Sequence, residues 1–178
     1  MRIISGKHKG KRLIAPSKLP VRPTTDFAKE ALFNILNNQF YFDQLTVIDL
    51  FAGTGNISFE FASRAAKQIY AVDAHYGCVK YISKITEELD YPITAVKSDA
   101  YSYLEKTLLK ADIIFADPPY DFTKENFAKI PELVKKRELL NQEGWLIIEH
   151  SKHTDLSDLD GFEEDRKYGG SIFSFFEF

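Results

Sequence analysis

Five short apolar runs recur along the chain with helix-forming stretches between them, and this alternation constrains the fold more than any other feature. The runs are LTVIDLFA (45–52), KQIYAVDA (67–74), ITAVKSDA (93–100), ADIIFADPP (111–119) and GWLIIEHS (144–151). They are of strand length, rich in β-branched and aromatic residues, and almost continuously apolar. Strands buried on both faces of a parallel sheet have that composition. The intervening stretches are NISFEFASRAA (56–66), YGCVKYISKITEEL (76–89), AYSYLEKTLLK (100–110) and ENFAKIPELVKKREL (125–139). In the second of these, Val79, Ile82, Ile85 and Leu89 recur at helical spacing. Strand and helix in alternation predict a doubly wound α/β sheet. Pro131 is expected to kink or break the last of these helices.

The two ends depart from this rhythm. The tail FEEDRKYGGSIFSFFEF reads as strand, Gly169-Gly170 turn, strand. The mostly parallel sheet should therefore close with an antiparallel hairpin, its phenylalanines facing the core. At the other end, RIISGKHKGKRLIAP suggests a small basic hairpin around Gly6 and Gly10. VRPTTDFAKEALFNIL predicts a helix after Pro23, capped by Thr24 or Thr25, with Ala28, Ala31, Leu32, Ile35 and Leu36 as its apolar face. The expected organisation is a basic extension over 1–40 and a ligand-binding domain over 41–178.

Charge sets the two parts against each other. Of the 23 Lys and Arg residues, seven (Arg2, Lys7, Lys9, Lys11, Arg12, Lys18 and Arg22) fall in residues 1–22, which hold no acid. The remaining 16 face all 26 Asp and Glu, so the formal net charge of −3 conceals a basic arm on an acidic body. Such an arm suits a polyanionic partner. No apolar run approaches the ~20 residues that a membrane span requires, and no signal peptide is visible. A lone cysteine, Cys78, has no internal disulfide partner, which suits a reducing cytoplasm. Cys78 and Trp145 are read as core residues, and His8 and His75 as surface groups. His150 and His153 lack the companions of a metal set, so no metal is expected.

The chemistry concentrates at the strand ends. VIDLFAGTGN places Asp49 and Phe51 before a Gly53-x-Gly55 turn that feeds a helix. A dinucleotide fingerprint would carry a third glycine where Ser58 stands. A carboxylate so close to the turn repels pyrophosphate and favours a cation. Asp73 and Asp99 end the second and third runs, the latter followed by Ala100. Three acids on the carboxyl edge of one sheet lie where open α/β sheets bind ligands. On that same edge the fourth run ends in Asp117-Pro118-Pro119-Tyr120. Proline has no N–H, so this segment is rich in acceptors, stiff, and followed by an aromatic ring. It suits a planar –NH2 group on a base that stacks on the tyrosine.

Asp-x-Phe-x-Gly-x-Gly resembles motif I of the class I methyltransferases, and DPPY resembles motif IV of those that modify exocyclic amines. The order RIISGKHKGKRL, RPTTDFAKEALFNIL, DLFAGTGNISFEFASRAA, DPPY resembles, over nearly the whole chain, the RsmD-like family of bacterial 16S rRNA guanine-N2 methyltransferases. Ser5 and Thr54 stand where glycine and serine are common in that family. The resemblance implies methyl transfer from S-adenosylmethionine to a guanine 2-amino group in small-subunit rRNA, free or in an assembling subunit. It implies that Asp49, Phe51, Gly53, Gly55, Asp73, Asp99 and Ala100 hold the cofactor. Asp117, Pro118, Pro119 and Tyr120 would hold the base, and Arg2, Lys7, Lys9, Lys11, Arg12 and Arg22 would meet phosphate. Arg22 and Thr24 or Thr25 would sit near the mouth of the site. The competing readings are a DNA adenine-N6 or cytosine-N4 methyltransferase, a small-molecule methyltransferase, and an RNA-binding protein that has lost catalysis.

Overall fold

The computed structural model describes residues 1–19, 24–119 and 121–178; Arg22 and Tyr120 lie outside them. The elements in chain order are α1 (Asp26–Gln39), β1 (Thr46–Leu50), α2 (Asn56–Ser63), β2 (Gln68–Asp73), α3 (Tyr76–Leu89) and β3 (Ile93–Lys97). They continue as α4 (Ala100–Lys106), β4 (Ala111–Ala116), α5 (Lys124–Lys136), β5 (Leu140–Ser151), β6 (Phe162–Tyr168) and β7 (Ser171–Phe176). One seven-stranded sheet has the order β3-β2-β1-β4-β5-β7-β6. Strands β1 to β5 pair in parallel, and β7 joins β5 and β6 antiparallel. This is the expected doubly wound sheet with a terminal hairpin, and it is the class I methyltransferase fold. Between β1 and β4 the strand order reverses, which opens a crevice at their carboxyl ends.

Several local expectations need correction. Strand β3 stops at Lys97, because Asp99 turns away to cap α4, its carboxylate accepting from the Ser102 N–H at 3.0 Å. Strand β4 stops at Ala116, where the prolines remove the next donors. Strand β5 starts at Leu140 rather than Gly144: Ala111 pairs with Leu140, Asn141 Nδ2 donates to Asp112 Oδ1 at 2.8 Å, and the register shifts before Trp145. Helix α5 runs through Pro131 without ending, since Phe127, Ile130, Pro131 and Val134 are buried together along it. Thr25, not Thr24, caps α1.

The buried face of α1 is Ala28, Lys29, Leu32, Phe33 and Leu36, while Ala31 and Ile35 are only half-buried. The difference comes from what covers the helix. Phe33 packs edge-on against Phe61, with ring centroids 4.6 Å apart, and near Phe42. Helix α2 is buried on every side, between the sheet and the N-terminal turn. In that turn the Ile3 N–H donates to Lys11 O and the Gly10 N–H donates to Ile3 O. The Ile4 and Ser5 N–H groups donate to Glu60, and the Lys7 N–H donates to Ser63 O. Gly6 (φ +81°) lies so close to Ser63 that a Cβ would fall 1.8 Å from its carbonyl oxygen. Ile3 and Leu13 join the same apolar cluster as Phe59, Phe115 and Ile147. His8 is not a free surface group: it is half-buried, with Nδ1 2.7 Å from the Tyr91 hydroxyl.

Candidate functional site

At the switch point a cleft of about 550 Å³ opens between the carboxyl ends of β1, β2 and β4. That volume is ordinary for a small-molecule site. Asp49, Asp73, Asp99 and Asp117 all line it, and no lysine or arginine does among the described residues. The wall is therefore built for a cation. Phe51, Gly53, Phe115, Pro118 and Pro119 line it as well.

The β1–α2 turn shows why its sequence is as it is. Phe51 sits at φ +57°, a conformation that costs a non-glycine residue roughly 1–2 kcal/mol. It is held there by the bonds from Ala52 N–H to Val72 O (3.0 Å) and from Gly55 N–H to Ala52 O (2.7 Å). Gly53 lines the cleft, and its N–H donates to Asp73 Oδ2 at 2.8 Å. Gly55 does not line it. Its φ of +77° starts α2, and a Cβ there would lie 3.0 Å from Ile82 and Phe59. The second glycine thus serves helix packing and the first serves the ligand wall. Ala100 is likewise buried at the start of α4, behind the Asp99 cap rather than in the cleft lining.

Each acid stands in a different environment. Asp73 accepts at both oxygens, from Gly53 and from the His75 N–H at 2.7 Å, and keeps further lone pairs for a ligand. Asp99 uses only Oδ1 in its cap. Asp49 is almost fully buried and accepts from both the N–H and the hydroxyl of Ser58, the residue that replaces the third glycine. Burial pushes its carboxyl up to about 7, against the pull of the Ser58 bonds and with help from the Asp73 charge. Asp117 is raised well above the usual carboxylate range by burial, then by the charges of Glu149 and Asp49. Cys78 also borders the cleft, its thiol pushed up to about 11 by burial and by Asp73.

Thr24 lies at the cleft as expected, while Phe122, Glu149, Asn56 and Lys29 escaped the sequence reading. Phe122 lines the cleft, edge-on to Phe51 and stacked with Tyr101 at 6.3 Å. Glu149 follows Ile148, which pairs with Ala116, so it stands beside Asp117 on the neighbouring strand. It is buried and accepts from the hydroxyls of Thr24 (2.7 Å) and Ser171 (2.6 Å). Thr24 lines the cleft, and its carbonyl accepts from Asn56 Nδ2 at 2.9 Å. Lys29, wholly buried, donates to Asn56 Oδ1 (2.8 Å) and Arg2 O (2.7 Å) and lies 3.6 Å from Glu60. A continuous polar chain thus runs from the N-terminal turn to the carboxylate beside Asp117. Asn56 and Glu149 invite attention only as polar residues in otherwise apolar stretches.

The described basic residues of the arm are spread along α2. Arg2 and Arg12 face each other across an isolated bridge, and Arg2 pairs with Asp26 at the start of α1, near Thr24. Lys7 instead reaches Ser63 at the far end of eight-residue α2, a helix about 12 Å long. Lys9 lies in that same turn, and Lys11 pairs with Glu88 at the end of α3. His150 is buried and bonded to Ser174 Oγ at 2.8 Å.

A family model described as Conserved hypothetical protein 95 matches residues 1–177. YlbH of Bacillus subtilis (strain 168) is 31% identical over 90% of this chain and 88% of its own. Ribosomal RNA small subunit methyltransferase D of Escherichia coli (strain K12) is 31% identical over 84% of this chain and 71% of its own. Among solved structures, the yhhF protein of Escherichia coli superposes with a TM-score of 0.86 at 23% identity, over 99% of this chain and 96% of that one.

Proposed function

The chain belongs to the family described as Conserved hypothetical protein 95, which takes in ribosomal RNA small subunit methyltransferase D, and from that premise we propose that it methylates the exocyclic 2-amino group of a guanine in 16S rRNA. S-adenosylmethionine is the donor. The observation that carries the reading is the cleft itself: four carboxylates, no lysine or arginine among the described residues, and an Asp-Pro-Pro wall without free N–H groups. A sulfonium and an ammonium fit such a wall and a pyrophosphate does not. The substrate places the reaction in the cytoplasm, on rRNA or an assembling subunit.

Asp73 would accept from the ribose hydroxyls, Asp99 from the adenine amine, and Asp49 would face the cationic end of the cofactor, with Phe51 and Gly53 as its wall. When bound, the cofactor would supply an electrophilic methyl group, and the amine that receives it would have to shed one proton. Asp117 and the carbonyls around Pro118 accept the two amine hydrogens and turn the nitrogen lone pair toward the methyl group. Asp117, whose proton affinity is raised by its surroundings, takes the released proton. Tyr120, next in sequence, supplies a ring for the base. Orientation and fixed dipoles provide most of the rate. A stacked target guanine must be flipped out before it can enter.

Labelled S-adenosylmethionine offered with unmethylated small-subunit rRNA, assembled subunits and duplex DNA tests the reading directly. N2-methylguanosine should be recovered from the ribosomal samples alone. Label on adenine or cytosine of DNA would reassign the substrate, and cofactor binding without transfer would favour an inactive RNA-binding protein.

Two further expectations follow. Asp49 is charged above about pH 7 and neutral below, and a cation prefers the charged form. Cofactor affinity should therefore rise roughly tenfold between pH 6 and pH 8, and calorimetric titration should find that slope flattened in Asp49→Asn. The arm's exposed ion pairs, Arg2–Asp26 and Lys11–Glu88, are worth little and exchange readily for phosphate. Neutralising Lys7, Lys9, Lys11 and Arg12 together should lower the slope of log K against log salt by about 3, from ~0.7 per single-strand phosphate contact. An unchanged slope would take the arm off the RNA.

A further inference from the structure

Thr24 reaches the cleft with its hydroxyl proton already committed. Its side chain is largely buried (8% exposed) yet lines the same cleft as Asp117. Oγ1 donates to Glu149 Oε2 at 2.7 Å. Glu149 Oε1 is held in turn by the Ser171 hydroxyl at 2.6 Å. The Thr24 backbone is pinned by Asn56, itself pinned by buried Lys29. A hydroxyl has one proton and two lone pairs. With Glu149 ionised, that proton is held on the buried carboxylate and Thr24 offers only lone pairs to a ligand. Pro118, which lines the same cleft, has no N–H and so offers only an acceptor.

The three nucleobases that carry exocyclic amines differ in what flanks the amine on the Watson–Crick edge. In guanine the neighbour of the 2-amino group is N1–H, a donor. In adenine and cytosine the neighbour of the amine is a ring nitrogen with a bare lone pair. A wall that only accepts can satisfy the donor–donor edge of guanine, and it faces adenine or cytosine lone pair to lone pair. We propose that Thr24 is a specificity-determining residue that accepts from guanine N1–H, and that Glu149 is the positioning residue that makes it an acceptor by holding its proton. The inference rests on the guanine reading and deepens it: the base is selected by a fixed proton, at a step separate from the amine recognition by Asp117.

The probe is 2-aminopurine riboside, which keeps the 2-amino group but has a lone pair in place of N1–H. It replaces, by splinted ligation into small-subunit rRNA, the guanosine that the wild-type protein labels. The wild type should prefer guanosine by 10²-fold or more in kcat/KM, because a site built around a donor rejects its absence strongly. Thr24→Val should slow guanosine methylation about 10–100-fold and leave the 2-aminopurine rate nearly unchanged, so the ratio falls at least tenfold. Thr24→Ser keeps the hydroxyl and should keep the ratio. Where valine prevents folding, Thr24→Ala removes the hydroxyl without bulk. Unchanged cofactor binding certifies the fold of each variant. A merely structural defect would slow both substrates alike. A wild-type ratio in a folded hydroxyl-less variant overturns the assignment of Thr24. Absence of N2-methylguanosine from the wild type itself overturns instead the reading on which it rests.

Discussion

Asp117→Ala should lose methyl transfer by about 10³-fold or more, while cofactor binding stays within about threefold of wild type. The two parts of the expectation have different structural grounds. Asp73 and Asp99 are anchored to backbone N–H groups on the β2 and β3 side of the cleft, and the cofactor reading rests on them. Asp117 sits across the crevice beside Glu149, where only the amine would need it. Removing an interaction made in the transition state lowers kcat without raising KM. The same substitution should not cost stability. Burial and the neighbouring charges of Glu149 and Asp49 disfavour the ionised Asp117, so its loss relieves a like-charge cluster. An unchanged or higher melting temperature with lost turnover is the expected pair of results, the ordinary trade between stability and function. Full turnover in Asp117→Ala would remove the residue from the mechanism.

Lys29→Met should be the most damaging substitution outside the cleft. Methionine matches the volume of the stem but removes an ammonium that meets Arg2 O, Asn56 Oδ1 and Glu60 in a wholly buried site. Burial lowers the lysine's proton affinity and Glu60 raises it again. Glu60 keeps Arg64 at 2.9 Å and the Ile4 and Ser5 N–H groups. Asn56 loses its donor and with it the hold on Thr24. Breaking a buried ion pair from one side costs about 3–5 kcal/mol, which for a chain of this size lowers the melting temperature by roughly 6–20 °C. Scanning calorimetry measures it, and the double substitution Lys29→Met with Glu60→Gln should recover part of the loss. A shift under about 2 °C would mean that the polar chain under the N-terminal turn holds little together.

Local chemistry carried much of the reading. Alternating apolar runs, the Gly-Gly hairpin turn and the Asp-Pro-Pro segment are each decided by a few neighbouring residues, and each lies where it was expected apart from the ends of β3 and β4 and the start of β5. Asp49, Asp73, Asp99 and Asp117 were legible as a set because parallel strands put all their carboxyl ends on one edge. Of the misplacements, that of β3 has a local cause and that of β5 a cause on another strand. A strand end and a helix cap compete for the same aspartate at residue 99, and a bulge stabilised from a neighbouring strand hides the start of β5.

What the sequence determined by itself was therefore whatever is set by covalent neighbours: which segments are strands, which face of the sheet edge is acidic, and that the chain carries a basic arm. Tertiary structure alone decided that Lys29, on what reads as an ordinary amphipathic helix, is buried, and that Glu149 stands beside Asp117 holding Thr24 from 125 positions away in the chain. It also decided that the arm folds back along α2, so that Arg2 and Lys7 lie at opposite ends of that helix. The physical reason is the same in each case. A buried polar group is tolerated only where partners meet it, and those partners, on α1, α2, β5 and β7, are brought together only when the sheet closes.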